Sequence, residues 1–348
     1  MNSFYHGAYT KDGFRHIKLK SVNPDCFRYI LKGRSNEVKS NLFDKLIEYL
    51  KSQKTQFSVA RCYDGRITAV KCEEKNFIIC DGTTPFDERA VTYGGIDGII
   101  SLEAFQNNEI LRNNQAEIVS SIQFLSELER KCTRFLSAAA GVDRDRKRLE
   151  KENTDSRKIS RYSAKLWSGY GCPPSGRVGV EKKVLLTVPT ANGVKGADCD
   201  MYEYCDTAIV ISGSAGYLSD MIVDRIRRYA LSSGVDIISC QSFLDFDGTP
   251  DHVIIPALRF GVFKDNKEAS VNPPHIKKVR ATRFLLNDTA ENTRVRLRFN
   301  QRAYDSLIKE VGEVIRKIDK CNRELDEIYL NATDEKALFD FVKSKLVI

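Results

Sequence analysis

Apolar and polar positions along the chain fall into a pattern that occurs twice. Phe27 to Leu31 is a short apolar run of strand type that ends in Lys32-Gly33. A polar loop, Arg34 to Val38, then leads through Lys39-Ser40 into helix-period positions from Asn41 to Leu50. The second half does the same. Thr207 to Ile211 ends in Ser212-Gly213, a loop of small residues runs from Ser214 to Leu218, and Ser219-Asp220 opens the helical pattern Met221 to Leu231. Gly33 and Gly213 are offset by 180 positions, and the short strands that follow, Phe57 to Cys62 and Val235 to Cys240, end on cysteines offset by 178. Further apolar runs, Asn76 to Cys80 before Asp81 and Leu258 to Phe263 before Lys264-Asp265, keep the same order.

Each half closes with long amphipathic helices. Leu111, Ile118, Ile122, Leu125 and Leu128 form the apolar stripe of the first; Tyr304, Leu307, Ile308, Val311, Val314, Ile315 and Ile318 form that of the second. A last helix follows the cap residues Thr154-Asp155 in one half and Thr333-Asp334 in the other. Between the halves, Gly-Tyr-Gly-Cys-Pro-Pro-Ser-Gly within Ser168 to Gly179 interrupts any helix. Ordered landmarks at nearly constant offset argue for an internal duplication. The pattern therefore predicts an α/β protein of two tandem domains, 1–167 and 180–348, joined by a linker at 168–179, each carrying a C-terminal helical hairpin.

Composition narrows the classes. With 348 residues, 42% hydrophobic and 29% charged, the chain exceeds what one core usually organises, and its 9% aromatic content is not that of a disordered chain. No apolar stretch approaches the roughly 18 residues of a membrane span, and Met1 to Gly13 lacks the basic-then-apolar order of a signal peptide, so a cytoplasmic location is expected. Ten cysteines stand singly without a C-x-x-C pair, which favours reduced thiols. The net charge of +8 permits an anionic partner.

A strand, a Gly-led loop and a helix opened by Lys-Ser form the arrangement that holds phosphates, because glycines let backbone N–H groups converge on an anion at a helix N-terminus. Gly33, Arg34, Ser35, Asn36, Glu37, Val38, Lys39 and Ser40 meet the G-x-x-x-x-G-K-[ST] pattern except that Val38 replaces the second glycine. Asp81, after an apolar strand, supplies the carboxylate that would help hold Mg²⁺ with the Ser40 hydroxyl. Two bland readings stand beside these. Lys39 and Ser40 can be residues of an ordinary strand-to-helix turn, and Asp81 can cap the turn Asp81-Gly82-Thr83-Thr84. Cys62 and Cys240 read as small buried residues at strand ends.

On these residues the chain resembles a group of bacterial ATPase-like proteins built from two tandem P-loop domains, each ending in a helical hairpin. The resemblance covers nearly the whole length. It rests on Ile30-Leu31-Lys32-Gly33 before Lys39-Ser40, Cys62, Cys80-Asp81-Gly82-Thr83-Thr84-Pro85, Val253-Ile254-Ile255-Pro256 and Leu325-Asp326-Glu327-Ile328-Tyr329. It implies mostly parallel sheets flanked by helices and the binding of ATP or GTP with Mg²⁺, through Gly33, Arg34, Ser35, Asn36, Lys39, Ser40 and Asp81. Both halves depart from it. Val38 would cost roughly 1 to 2 kcal/mol if the loop needs a left-handed residue there. The second loop, Gly213 to Asp220, lacks the lysine, puts Asp220 where a hydroxyl belongs, and has Lys264 at the position of the strand-end carboxylate. The implied function is nucleotide binding, with slow hydrolysis at most, by the first domain alone; the alternative is a non-catalytic regulatory or interaction protein.

Two further segments carry candidate chemistry. Asp245-Phe246-Asp247-Gly248-Thr249 matches the D-x-D-G-T of haloacid dehalogenase-type phosphatases, but the strand before it ends early and turn chemistry accounts for these residues equally well. From His275 to Arg302, eight basic residues (Lys277, Lys278, Arg280, Arg283, Arg294, Arg296, Arg298 and Arg302) face two acids, Asp288 and Glu291. That surplus reads either as a solvated face or as a patch for nucleic acid or an acidic partner; with only Phe284 and Phe299 among these residues, the aromatics are not interleaved as a stacking platform for single strands requires.

Overall fold

The computed structural model describes residues 4–21, 23–92, 94–173, 175–199, 201–265, 273–286 and 291–346. Pro174 of the expected linker and Asp288 of the basic segment lie outside them. The first half contains β1 (Tyr5–Thr10), β2 (Gly13–His16), β3 (Phe27–Lys32), α1 (Asn36–Ser52), β4 (Ser58–Cys62), β5 (Ile67–Cys72), β6 (Phe77–Asp81), β7 (Asp97–Ser101), α2 (Asn108–Asn113), α3 (Gln115–Glu152) and α4 (Ser156–Ser168). The second contains β8 (Glu181–Leu185), β9 (Thr187–Thr190), β10 (Gly193–Gly196), β11 (Thr207–Ser212), α5 (Tyr217–Ser232), β12 (Ile237–Gln241), β13 (His252–Ile255), β14 (Phe260–Lys264), β15 (His275–Arg280), α6 (Glu291–Ala332) and α7 (Glu335–Leu346).

The two halves build the same sheet. In the first, the strand order is β7-β3-β6-β5-β4-β1; in the second it is β15-β11-β14-β13-β12-β8. Read in that order, both sheets run parallel, parallel, antiparallel, antiparallel, parallel. Each is a mixed, mostly parallel sheet flanked by helices. The sequence repeat is thus a repeat of topology, and β9 and β10 form a separate antiparallel pair.

Parallel strands buried against helices need near-continuous apolar runs, and β11 (Thr-Ala-Ile-Val-Ile-Ser) is such a run. On α1, Val38, Leu42, Phe43, Leu46, Ile47 and Leu50 recur at helical spacing and pack on Leu31, Val59, Val70 and Ile79. On α5, Leu218, Ile222, Val223 and Ile226 do the same against Ile209, Ile211, Val253 and Val262.

The compact units do not coincide with the sequence halves. One comprises Met1–Ala8, Gly13–Cys132 and Glu313–Ile348; the other comprises Tyr9–Asp12 and Thr133–Gly312. Each expected domain was to keep its own helical hairpin, whereas α3 and α6 each leave one unit and end in the other. In the first unit, Leu338, Val342 and Leu346 of α7 join the α1 core. In the second, Ile159 and Trp167 of α4 join the α5 core. Backbone bonds lock both exchanges in the same way. Asp155 N donates to Phe284 O at 2.8 Å, and Asp334 N donates to Phe105 O at 2.8 Å. The physical reason is that the outer face of α1 or α5 is apolar and needs a cover, and the arm of the other half supplies it.

Leu338→Ala, at the far end of the sequence, should therefore speed amide exchange in β3 and β6 of the first unit, by about 2 to 5 kcal/mol of lost protection. Ile159→Ala should do so in β11 and β14 of the second. Hydrogen exchange read by mass spectrometry checks this.

Candidate functional site

In the first unit, β3 ends at Lys32 and hands the chain to Gly33, whose φ is 132°. A Cβ there would stand 2.7 Å from Leu102 Cβ, so no side chain fits. Ser35 is left-handed at φ 86°, and its Oγ accepts the N–H of Val38 at 3.1 Å. With that N-cap, α1 begins at Asn36 rather than Asn41. The eight-residue phosphate loop expected over Gly33 to Ser40 is shortened to Gly33-Arg34-Ser35. Val38, Lys39 and Ser40 lie inside the helix, and the strain expected at Val38 does not arise. Val38 is fully buried, and Ser40 is half-buried on α1.

The N–H of Asn36 donates to Asp326 Oδ1 at 2.6 Å. This aspartate belongs to α6, and the N–H of Glu37 and the hydroxyl of Ser35 lie close enough to favour its charged form. Burial pushes its carboxyl up, against the pull of those donors. Lys39 and Asp81 form an ion pair, Nζ to Oδ2 at 2.8 Å, with each residue only 3% exposed. Burial lowers the Lys39 pKa, and Asp81 opposes that shift. Asp81 Oδ1 also accepts the N–H of Thr83 at 2.9 Å, which is the turn-capping bond that its sequence context allowed.

The second unit has the same layout with other residues. Gly216, at φ 126°, is the N-cap of α5, which begins at Tyr217 rather than Met221. Glu150, from α3, takes the helix start: Oε1 accepts Ala215 N at 2.8 Å, and Oε2 accepts Leu218 N at 2.9 Å and Ser214 Oγ at 2.9 Å. Asp220 is ion-paired with Lys264, which also pairs with Asp251. Lys147 Nζ lies 3.0 Å from Asp220 Oδ2 and 3.1 Å from Asp143. Burial works against the Lys264 and Lys147 ammonium groups, but their aspartate partners hold both pKa values up. Asp251 is held down to about 2: burial raises it, and Lys264, with His252 and Lys147 nearby, more than offsets that.

Setting the units side by side reveals a reversal of charge. Lys39 is the fourth residue of α1, and Asp220 the fourth of α5; Asp81 ends β6, and Lys264 ends β14. Asp220 is therefore the counterpart of Lys39, not of the magnesium-binding hydroxyl. A third position follows suit. Asp326 stands seven residues before Thr333, and Lys147 seven before Thr154. Helix, strand end and arm carry plus, minus, minus in one unit and minus, plus, plus in the other.

The remaining candidates are dispersed. Arg34 is half-buried and its positive charge acts on Cys321 and Tyr329 of α6. Beyond the end of β12, Asp245 forms an isolated bridge with Ser242 and Asp247 sits in a turn, and Asp245 Oδ1 accepts Lys11 Nζ at 2.8 Å. A nucleophile aimed from the end of a central strand is not formed there. Cys62 and Cys240 are fully buried, which pushes both thiols well up. Among the described residues, no group of three or more His, Cys, Asp or Glu is placed to hold a metal ion, and no helix is long and apolar enough to cross a membrane. Lys277, Lys278 and Arg280 are exposed on β15; Arg294 and Arg298 are exposed on α6, while Arg296 pairs with Asp145 at 3.0 Å.

Sequence reasoning missed Asp326, Glu150 and Lys147 as parts of these loops. The signal available was burial: Asp326 follows Leu325 and Glu150 follows Leu149, each on the apolar face of its helix. Compared with known proteins, the chain matches no family model, no curated protein and no solved structure.

Lys39→Met alone should destabilise the first unit by about 3 to 5 kcal/mol, because the Asp81 charge is left buried and uncompensated. Adding Asp81→Asn, which keeps an oxygen for Thr83 N, should restore most of that loss in denaturant unfolding.

Proposed function

We propose that this chain is a non-catalytic protein of nucleotide-loop ancestry, a regulatory or interaction module in which each helix start that would receive a phosphate receives one of the chain's own carboxylates. The observation that carries this reading is the occupancy of both loops, Asp326 on the N–H of Asn36 and Glu150 on those of Ala215 and Leu218. A helix start offers partly unsatisfied N–H groups and a positive dipole end, and an anion of either origin satisfies both.

The residues present do not fit a triphosphate with Mg²⁺. Lys39 Nζ is spent on Asp81, both oxygens of Asp81 are engaged, and the Asp326 charge stands where a phosphate would. At about 4 Å and an effective dielectric near 20, that carboxylate repels each phosphate charge by about 4 kcal/mol. The reversal in the second unit supports the same reading. Phosphate and Mg²⁺ distinguish a cation on the helix from an anion on the strand, so a working site does not tolerate the exchange. A structural tie does, because only its neutrality matters.

Calorimetric titration of the full chain with Mg-ATP and Mg-GTP should show no saturable heat at millimolar nucleotide, a Kd weaker than about 1 mM. Binding with a Kd below about 100 μM that disappears in Lys39→Ala would instead make the first unit a working nucleotide site.

A further inference from the structure

The first three turns of α6 present a face that neither loop uses. Arg294, Arg298 and Arg302 follow one another at four-residue spacing, all exposed. A helix rises about 1.5 Å per residue, so the three guanidinium stems emerge at intervals of about 6 Å along one line. Beside them stand Val295, 55% exposed, and Phe299, 68% exposed. The opposite side of the helix is tied down within the same unit: Asn300 Nδ2 donates to Asp145 Oδ2 at 2.7 Å, and Arg296 donates to both oxygens of that aspartate at 3.0 Å. Among the described residues, the only ion pair on the arginine side is the long one from Arg294 to Glu291, at 3.9 Å; Asp305 is taken by Gln301 at 2.8 Å. On the same arms Arg148 is paired with Asp145 and Glu152, and Arg316 with Glu313.

From this we infer that the Arg294–Arg298–Arg302 face of α6, with Phe299 at its side, binds single-stranded nucleic acid. Three features select that occupant. All three cations are arginines, whose planar fork matches a phosphate oxygen pair, where lysine supplies only a point charge. Their regular line suits a repeating backbone anion. The exposed phenyl ring offers a stacking surface to an unpaired base, which an acidic polypeptide does not use and a duplex does not present. Lys277 and Lys278 are not counted in this site, because lysines on an edge strand such as β15 already serve to keep other strands from pairing with it.

Fluorescence anisotropy of a labelled 20-mer of deoxythymidine with the full chain tests this. The observed affinity should fall linearly with salt on a log–log plot. Changing all three arginines to glutamine should lower the slope by about 2, since each single-strand phosphate contact contributes about 0.7, and should cost tenfold or more in affinity at about 50 mM salt. Phe299→Ala should weaken the 20-mer severalfold while leaving a duplex of equal charge unaffected. These are surface changes, and an unaltered thermal melt confirms the fold. Retention of full affinity by the triple variant overturns the inference. So does equal binding of polyglutamate, which would make the face an acidic-protein site, or binding of phosphatidylserine vesicles in place of the oligonucleotide.

Discussion

An ion pair between the first turn of a helix and the end of a strand, buried in the first unit and half-buried in the second, holds the centre of each, and its constraint is neutrality. Moving one charge out of water into a protein interior costs several kcal/mol, and a pair at hydrogen-bond distance recovers that cost only when both partners are present. Lys39 with Asp81 meets this condition in the first unit, and Asp220 with Lys264 meets it in the second. These charges tie the start of α1 to the end of β6 and the start of α5 to the end of β14. The carboxylates of Asp326 and Glu150 then complete the helix starts that the loops leave open.

That dependence links the two halves of the sequence. A duplicated α/β unit with a helical hairpin would be self-sufficient if each hairpin covered its own helix. Here α7 covers α1 and α4 covers α5, so the groups that satisfy the loop of one half are encoded in the other. With a carboxylate at each helix start, the helix residue and the strand-end residue carry opposite signs in the two units.

Much of the fold was legible because it is written in local patterns. The apolar runs at Phe27 to Leu31 and Thr207 to Ile211, the cysteines closing the next strands and the caps at Thr154-Asp155 and Thr333-Asp334 marked a repeat that both sheets follow. The substitution of Lys264 for a carboxylate at the strand end was also legible from alignment of the apolar runs. Helix starts were read four or five residues late, because loops that resemble phosphate-binding turns were given more residues than Ser35 and Gly216, with their positive φ, leave them. The exchange of arms was not legible. Nothing in the periodicity of Leu338 or Ile159 says which of two similar helices it covers, and long-range choice of partner has no local signature. For the same reason neither Asp326, seen in the sequence only as part of Leu325-Asp326-Glu327-Ile328-Tyr329, nor Glu150 could be placed at a helix start.

The most direct test of the claim that neutrality rather than chemistry is maintained is to give the first unit the polarity of the second. In an Asp326→Asn background, which removes the third charge, a cycle of Lys39→Asp, Asp81→Lys and both together is followed by denaturant unfolding and by hydrogen exchange in β3 and β6. Each single change should cost about 3 to 5 kcal/mol, and the exchanged pair should recover at least half of the summed loss. An exchanged pair as unstable as the sum of the two singles would contradict the account and would show that the first unit requires its lysine on the helix and its carboxylate on the strand.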